Sequence, residues 1–410
     1  MFSLRLGGPE TRGDFSRMER RVDTLVVGGG LTGCAAAYEL ARAGVDTLLV
    51  ERGDLNTEAS GRNAGGFHVQ IQFEPFVVEG EEWARDWAPS TIPLLIGAVG
   101  RWQELEAELG TDLEVKLTGG LLAADTEADL AAIERKAAVE RAAGLEVELL
   151  TAGDLRRVAP YLSEGMAGGL LCPVEGKANP LLATPAFARA ARAHGARIAV
   201  GIELLEIAQT TSGFRVETSG GAIECEHIVD CAGVAAGEIS ALVRVPLPVE
   251  SWPLQAHVTE PVAPLVRHLV YFAGEPLTLK QAAAGSVLIG GGWPSRPDPE
   301  TGKPTVSYDS LHANLRLAQH VVPALARVRL LRVWTGICNG TPDHRPILGE
   351  LEGVPGFFVA AFPYLGFTAA PLMGRLVADL VRGRTVPYDL APFAAARFAA
   401  TLGAQGSSAP

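Results

Sequence analysis

The sequence predicts a mixed α/β fold in which a parallel, dinucleotide-binding sheet is interrupted by an antiparallel domain. Three observations predict it. A strand, a glycine turn, a helix and a second strand follow one another from Val22 to Val50. Beyond that unit, strand and helix signals are mixed rather than strictly alternating. Short strands separated by turn residues fill positions 197–226, and strand-rich sequence returns at 258–292.

The opening unit is the most specific feature. Leu25–Val27 are apolar and β-prone, and they lead into Gly28-Gly29-Gly30-Leu31-Thr32-Gly33. Gly28 permits the sharp turn, Gly30 lets the backbone approach a pyrophosphate, and Gly33 lets the helix pack close to the sheet. The helix Cys34–Ala43, stopped by Gly44, offers free N–H groups and a positive dipole end to phosphates. The second strand ends in Leu48-Leu49-Val50-Glu51, which puts an acid about 20 residues past the turn, ready to accept hydrogen bonds from a ribose. An ordinary turn that needs glycine only for packing would not predict that acid.

The remaining elements follow in order. Ala59-Ser60-Gly61-Arg62-Asn63-Ala64-Gly65-Gly66 is a glycine-rich loop, too polar and flexible for a regular element. Apolar residues at helical spacing predict a helix over Ile92–Leu109. Leu121–Ala124 reads as a strand. Asp125–Ala143 reads as a helix capped by Thr126 and stopped at Gly144, and Pro180–His194 as another. Arg197–Val200, Glu203–Gln209, Gly213–Glu217 and Ala222–Glu226 form a meander. Ile228–Gly233 is a separate buried strand ending in a small-residue turn. Leu330–Thr335 is again strand-rich, Phe357–Phe362 is a strand, and Pro371–Arg382 is a helix with Thr368 as its N-cap.

Composition narrows the function. The 410 residues suffice for two domains or one composite one, with 48% hydrophobic and 20% charged residues. A net charge of −12 argues against a nucleic-acid partner. No apolar run approaches the ~20 residues of a membrane span. Met1–Arg20 lacks the apolar core of a secretory signal and reads as a disordered leader, with Met18 as an alternative start; Gly403–Pro410 reads as a disordered tail. Five scattered cysteines without a C-x-x-C pair argue for reduced thiols in the cytoplasm and against a metal site. Cys34 and Cys231 read as small core residues.

Taken in order, Gly28–Gly33 with Glu51, the loop Ala59–Gly66, the strand Ile228–Gly233, the segment Trp334–Gly349 and the ending Gly366-Phe367-Thr368-Ala369-Ala370-Pro371 resemble the D-amino-acid oxidase family of FAD enzymes. The resemblance spans about Val22 to Arg384. Within that family, His68-Val69-Gln70, Glu175–Leu182 and Leu279-Lys280-Gln281 look most like catalytic β-type subunits of opine oxidases and heteromeric sarcosine or hydroxyproline dehydrogenases.

The resemblance implies a Rossmann-type FAD-binding domain, from residues 21–85, 150–240 and 335–390, with an inserted antiparallel-sheet substrate domain from 86–149 and 241–334. It implies that Gly28, Gly30, Leu31, Thr32 and Gly33 hold the pyrophosphate, and that Glu51 and Arg52 lie at the adenosine ribose. Ser60, Gly61, Arg62, Asn63, Ala64, Gly65 and Gly66 would wrap the flavin. Leu204 would touch the adenine, Ala232 and Gly233 would pass beside the phosphates, and Gly336 would lie at the flavin. Leu365, Gly366, Phe367 and Thr368 would start a helix facing the flavin pyrimidine, where a positive helix end suits the negative charge of reduced flavin.

The implied reaction is hydride transfer from a carbon beside nitrogen to flavin N5, with hydrolysis of the resulting imine. The substrate would be a small amine or amino acid. The alternative is a catalytic flavoprotein subunit that passes electrons to partner subunits in a hetero-oligomer rather than to oxygen. Relatives grip the substrate carboxylate with an arginine where Cys338 stands here; Arg62, Arg296 and Arg345 are the nearby alternatives. Cys338 is not expected to tether flavin, because the tethering position corresponds to Gly336. His68 reads either as a hydrogen-bonded structural residue or as a catalytic one. Lys280 reads either as an exposed strand lysine or as a lysine promoting reaction with oxygen. Trp334 reads either as packing on the flavin or as core, with core preferred.

Overall fold

A computed structural model describes residues 21–399, so the expected leader and tail lie outside the described residues. Two eight-stranded sheets organise the chain.

The first sheet runs in the order Ile347–Glu350, Phe357–Ala361, Gly221–Asp230, Arg21–Val27, Thr47–Glu51, Arg197–Val200. Arg21–Val27 pairs in parallel with Gly221–Asp230 on one side and Thr47–Glu51 on the other. Its Leu25 and Val26 are fully buried, as in a strand covered on both faces. The helix Leu31–Arg42 is built from Cys34-Ala35-Ala36-Ala37, and these small side chains let the helices Pro180–Ala193 and Gly366–Val381 pack closely. At the second contact a Cβ on Gly374 would stand 2.6 Å from the Ala35 Cβ.

The second sheet runs Leu330–Gly340, Glu250–Pro261, Ser286–Gly290, Thr278–Gln281, Leu269–Phe272, Gly120–Ala124, Gly168–Cys172, Glu148–Thr151. It is antiparallel except where Leu269–Phe272 runs parallel to Gly120–Ala124. Gly168–Cys172 and all of Leu330–Gly340 belong to this sheet, so the domain limits expected at 150 and 335 do not follow the sheet boundaries.

Several expectations are corrected. Arg197–Val200 is not part of a meander; it pairs in parallel with Thr47–Glu51. The two expected strands Ala222–Glu226 and Ile228–Gly233 are one strand, Gly221–Asp230, whose first half also pairs antiparallel with Gly213–Thr218 and whose last three residues pair in parallel with Phe357–Val359. The loop after residue 58 contains one helical turn, Ala59–Arg62, and a two-residue strand, Gly66–Phe67. The helix expected from Ile92 begins at Phe73 and runs 37 residues, broken at Gly80, where φ is +87°. The last helix begins at Gly366 with Leu365 as its uncapped N-cap, so Thr368 lies inside its first turn. Thr126 does cap its helix, accepting from the Asp129 amide.

Candidate active site

The glycine turn folds as its residues require. Gly28 takes φ +107°, and a Cβ there would stand 2.6 Å from the Cys231 carbonyl oxygen. A Cβ on Gly33 would stand 2.0 Å from the Gly28 oxygen, so the helix can seat itself against the turn only with glycine at that position. The Glu51 carboxylate accepts from the Gly29 and Gly53 amides, each at 2.7 Å, which fixes it at the end of its strand. The Leu31 amide, first in the helix, donates to Ser60 Oγ at 2.9 Å and ties the turn to the following loop.

A cavity of about 1240 Å³ begins at this turn. Gly28, Gly30, Leu31, Thr32, Glu51 and Arg52 line its start, with Leu204, Ala232 and Gly233 beside them. Ser60, Arg62, Asn63, Ala64 and Gly336 line its middle, and Leu365, Gly366, Phe367 and His68 its far part. Gly33, Gly65, Gly66 and Thr368 lie behind the wall rather than in it. Thr368 Oγ1 accepts from the His68 amide at 2.9 Å, and the Thr368 carbonyl accepts from Trp102 Nε1 at 2.9 Å. Thr368 therefore anchors the His68 backbone where it was expected to cap a helix.

A second cavity, of about 1350 Å³, lies across the loop. Arg62, Asn63, Ala64 and Trp334 wall both cavities, whereas Gly61 and Lys280 face only the second. Lys280 is 4% exposed, which rules out an exposed strand lysine, and its Nζ has no hydrogen-bond partner among the described residues. Burial, assisted by the charge of Lys177, holds its pKa well below the ordinary ammonium range. His68 and Lys280, the two catalytic candidates, thus open onto different cavities.

Trp334 is half-buried wall rather than core, and its Nε1 donates to the Arg62 carbonyl at 2.7 Å. Cys338 lines the first cavity. Of the three alternative arginines, Arg296 and Arg345 do not line this cavity, and Arg62, which does, is engaged by backbone. The Arg62 guanidinium donates to the carbonyls of Thr57 and Thr335, Arg345 pairs with Asp86 at 2.6 Å, and Arg296 sits in an exposed two-residue strand. Cys34 and Cys231 are buried, as expected.

Sequence reasoning missed the polar wall beyond His68. Tyr271, Gln70 and Lys136 line the first cavity, and Glu175 lies behind them, fully buried. A signal was present: Lys136 and Glu140, four apart, fall on the same helical stripe as Ala132, Ile133 and Ala137, where charged residues belong only if paired. Burial pushes His68 down to about 3, with Lys280 contributing, so its imidazole is neutral at physiological pH.

The chain is similar to known proteins over nearly its whole length. It is 30% identical to glycine oxidase of Geobacillus kaustophilus (strain HTA426), over 95% of this chain and 100% of that one. It is 28% identical to an opine oxidase subunit of Rhizobium meliloti, over 92% and 98%. The crystal structure of glycine oxidase from Geobacillus kaustophilus superposes with a TM-score of 0.82, at 28% identity, covering 92% of this chain and 99% of that one. Residues 23–380 match the FAD dependent oxidoreductase (DAO) family. Together with the glycine turn, the fixed Glu51 carboxylate and the cavity they open, these likenesses make the chain a member of the DAO family of FAD-dependent oxidoreductases, an enzyme acting on amines or amino acids.

Proposed function

We propose that this enzyme oxidises the C–N bond of a small secondary amine or amino acid of the sarcosine, opine or proline-derivative type, giving an imine that water hydrolyses. The observation that carries this reading is one unbroken cavity joining Glu51 to His68 and Tyr271. Single small-molecule sites occupy about 300–1,000 Å³. At about 1240 Å³ this cavity has room for a dinucleotide and a small substrate together.

The residues present fit FAD. The Gly28–Gly33 turn would take the pyrophosphate, Glu51 and Arg52 the ribose, and Leu204, Ala232 and Gly233 the adenosine side. The loop Ser60–Gly66 and Gly336 would border the flavin, and the start of the helix Gly366–Val381, with Leu365, Gly366 and Phe367 at the cavity wall, would offer its positive end. Bound FAD would supply the acceptor for a hydride from the carbon beside the substrate nitrogen. The chain's own part is positioning: neutral His68 meets the substrate amine, and the wall around it excludes water.

A second reading, favoured by the likeness to the opine oxidase subunit, is a catalytic chain that hands electrons to partner chains. Under the first reading Lys280, unpartnered across the loop, promotes reaction with oxygen. Five thiols without disulfide partners support a cytoplasmic setting. No helix among the described residues is long and apolar enough to cross a membrane.

The test is an anaerobic absorbance titration with sarcosine, proline, hydroxyproline, D-amino acids and opines, followed by air. Bleaching of the flavin band by one of these supports the reading. Rapid recovery in air identifies an oxidase, and slow recovery a dehydrogenase with a partner. A yellow protein that no amine bleaches removes the proposal.

A further inference from the structure

The cavity wall around His68 holds a buried chain of hydrogen bonds that converges on Glu175. Lys136 Nζ lies 2.7 Å from Glu140 Oε1 and 3.2 Å from Gln70 Oε1. An ammonium has only donors, so the Gln70 oxygen accepts and its Nε2 is the donor facing Glu175 Oε2 at 2.9 Å. Glu175 Oε1 also accepts from the Val69 and Gln70 amides at 2.5 and 2.8 Å. Burial raises the Glu175 carboxyl, its hydrogen-bond donors opposing the rise; in this geometry N–H donors reach both of its oxygens, so each oxygen accepts.

Tyr271 completes the chain. Its hydroxyl lies 2.9 Å from Glu175 Oε2 and 2.7 Å from His68 Nδ1. The hydroxyl donates to Glu175 Oε2, so its oxygen accepts from His68 Nδ1–H. The remaining ring nitrogen, Nε2, then carries a lone pair and has no partner among the described residues, while His68 lines the cavity. A Cβ on Gly66 would stand 2.8 Å from Nε2, so glycine at that position keeps the nitrogen clear.

We propose that the chain Lys136–Gln70–Glu175–Tyr271 holds His68 in the Nδ1–H tautomer, and that Nε2 accepts a hydrogen bond from an N–H of the substrate amine. This rests on the amine-oxidising reading and deepens it. The substrate class is then primary or secondary amines, with tertiary amines disfavoured because they bring no N–H when neutral. Tyr271, Glu175, Gln70 and Lys136 are positioning residues, and His68 is the residue that touches substrate.

The tautomer is tested directly by nitrogen-15 NMR of the histidine-labelled FAD holoenzyme, with the His68 signals assigned by their loss in His68→Gln. A protonated Nδ1 and a bare Nε2 are expected, and Tyr271→Phe should mix the two tautomers. A bare Nδ1 in the parent enzyme overturns the proposal. The second arm compares anaerobic flavin reduction by sarcosine and N,N-dimethylglycine. Sarcosine should be favoured by about tenfold or more, and Tyr271→Phe should erode that preference chiefly through KM. An unchanged preference overturns the proposal. If no amine of the sarcosine, proline, hydroxyproline, D-amino-acid and opine series reduces the parent flavin, the amine-oxidising reading falls, and the NMR result still decides the tautomer separately.

Discussion

The Lys280 side-chain nitrogen lies 3.0 Å from the point where a Cβ on Gly65 would stand, so the lysine rests directly against the loop between the two cavities. It reaches that loop from the opposite side to His68 and brings a buried group with no partner among the described residues. Replacing it with Met removes the nitrogen and keeps the volume. Lys280→Met should slow reoxidation by oxygen on the order of a hundredfold, the usual scale for one electrostatic donor at a reacting centre. Flavin reduction by substrate should change little. Stopped-flow measurement of both half-reactions checks this, and equal effects on the two would remove the role.

Glu51 bridges the turn and the end of its strand through two 2.7 Å hydrogen bonds. Glu51→Ala deletes the proposed ribose partner and frees both amides. FAD should bind about tenfold more weakly or worse, measured by flavin fluorescence quenching. Full FAD occupancy in a variant of unchanged melting temperature would assign the ribose contact elsewhere.

Asp230 ends an inner strand of the first sheet, fully buried, with Oδ1 accepting from the Ala232 amide and Oδ2 without a partner among the described residues. Burial pushes its carboxyl up to about 7. The folded state therefore holds a proton that the unfolded chain gives up earlier, and stability falls as pH rises from the ordinary 3.8 towards about 7. Asp230→Asn cannot ionise. Relative to the parent, the variant should gain on the order of 3 kcal/mol between pH 4 and 7.5, read from denaturant unfolding at saturating FAD. A stability difference independent of pH would show that Asp230 does not carry the proton.

The opening unit was legible because glycine spacing, helix pattern and terminal acid are all local. Other elements depend on partners that sequence does not name. Arg197–Val200 reads identically as a meander strand or as a parallel edge strand, and only its pairing with Leu48–Glu51 decides. Gly221–Asp230 changes neighbours along its length, so its pattern changes midway and mimics two strands. Phe73–Thr91 was hidden because Gly80 and Pro89 interrupt the helical pattern. Thr368 resembles a cap in sequence, but its hydroxyl is drawn to the His68 amide, a contact across 300 positions. Tyr271 is a strand aromatic like any other until Glu175 and His68 meet it from elsewhere in the chain.

The loop Arg62–Ala64 is a partition with a chamber on each side. A molecule built this way has two doors. Whatever lies along the loop is open to visitors from either chamber, so one reactant need not leave before the other enters. Traffic through such an enzyme is not obliged to take turns.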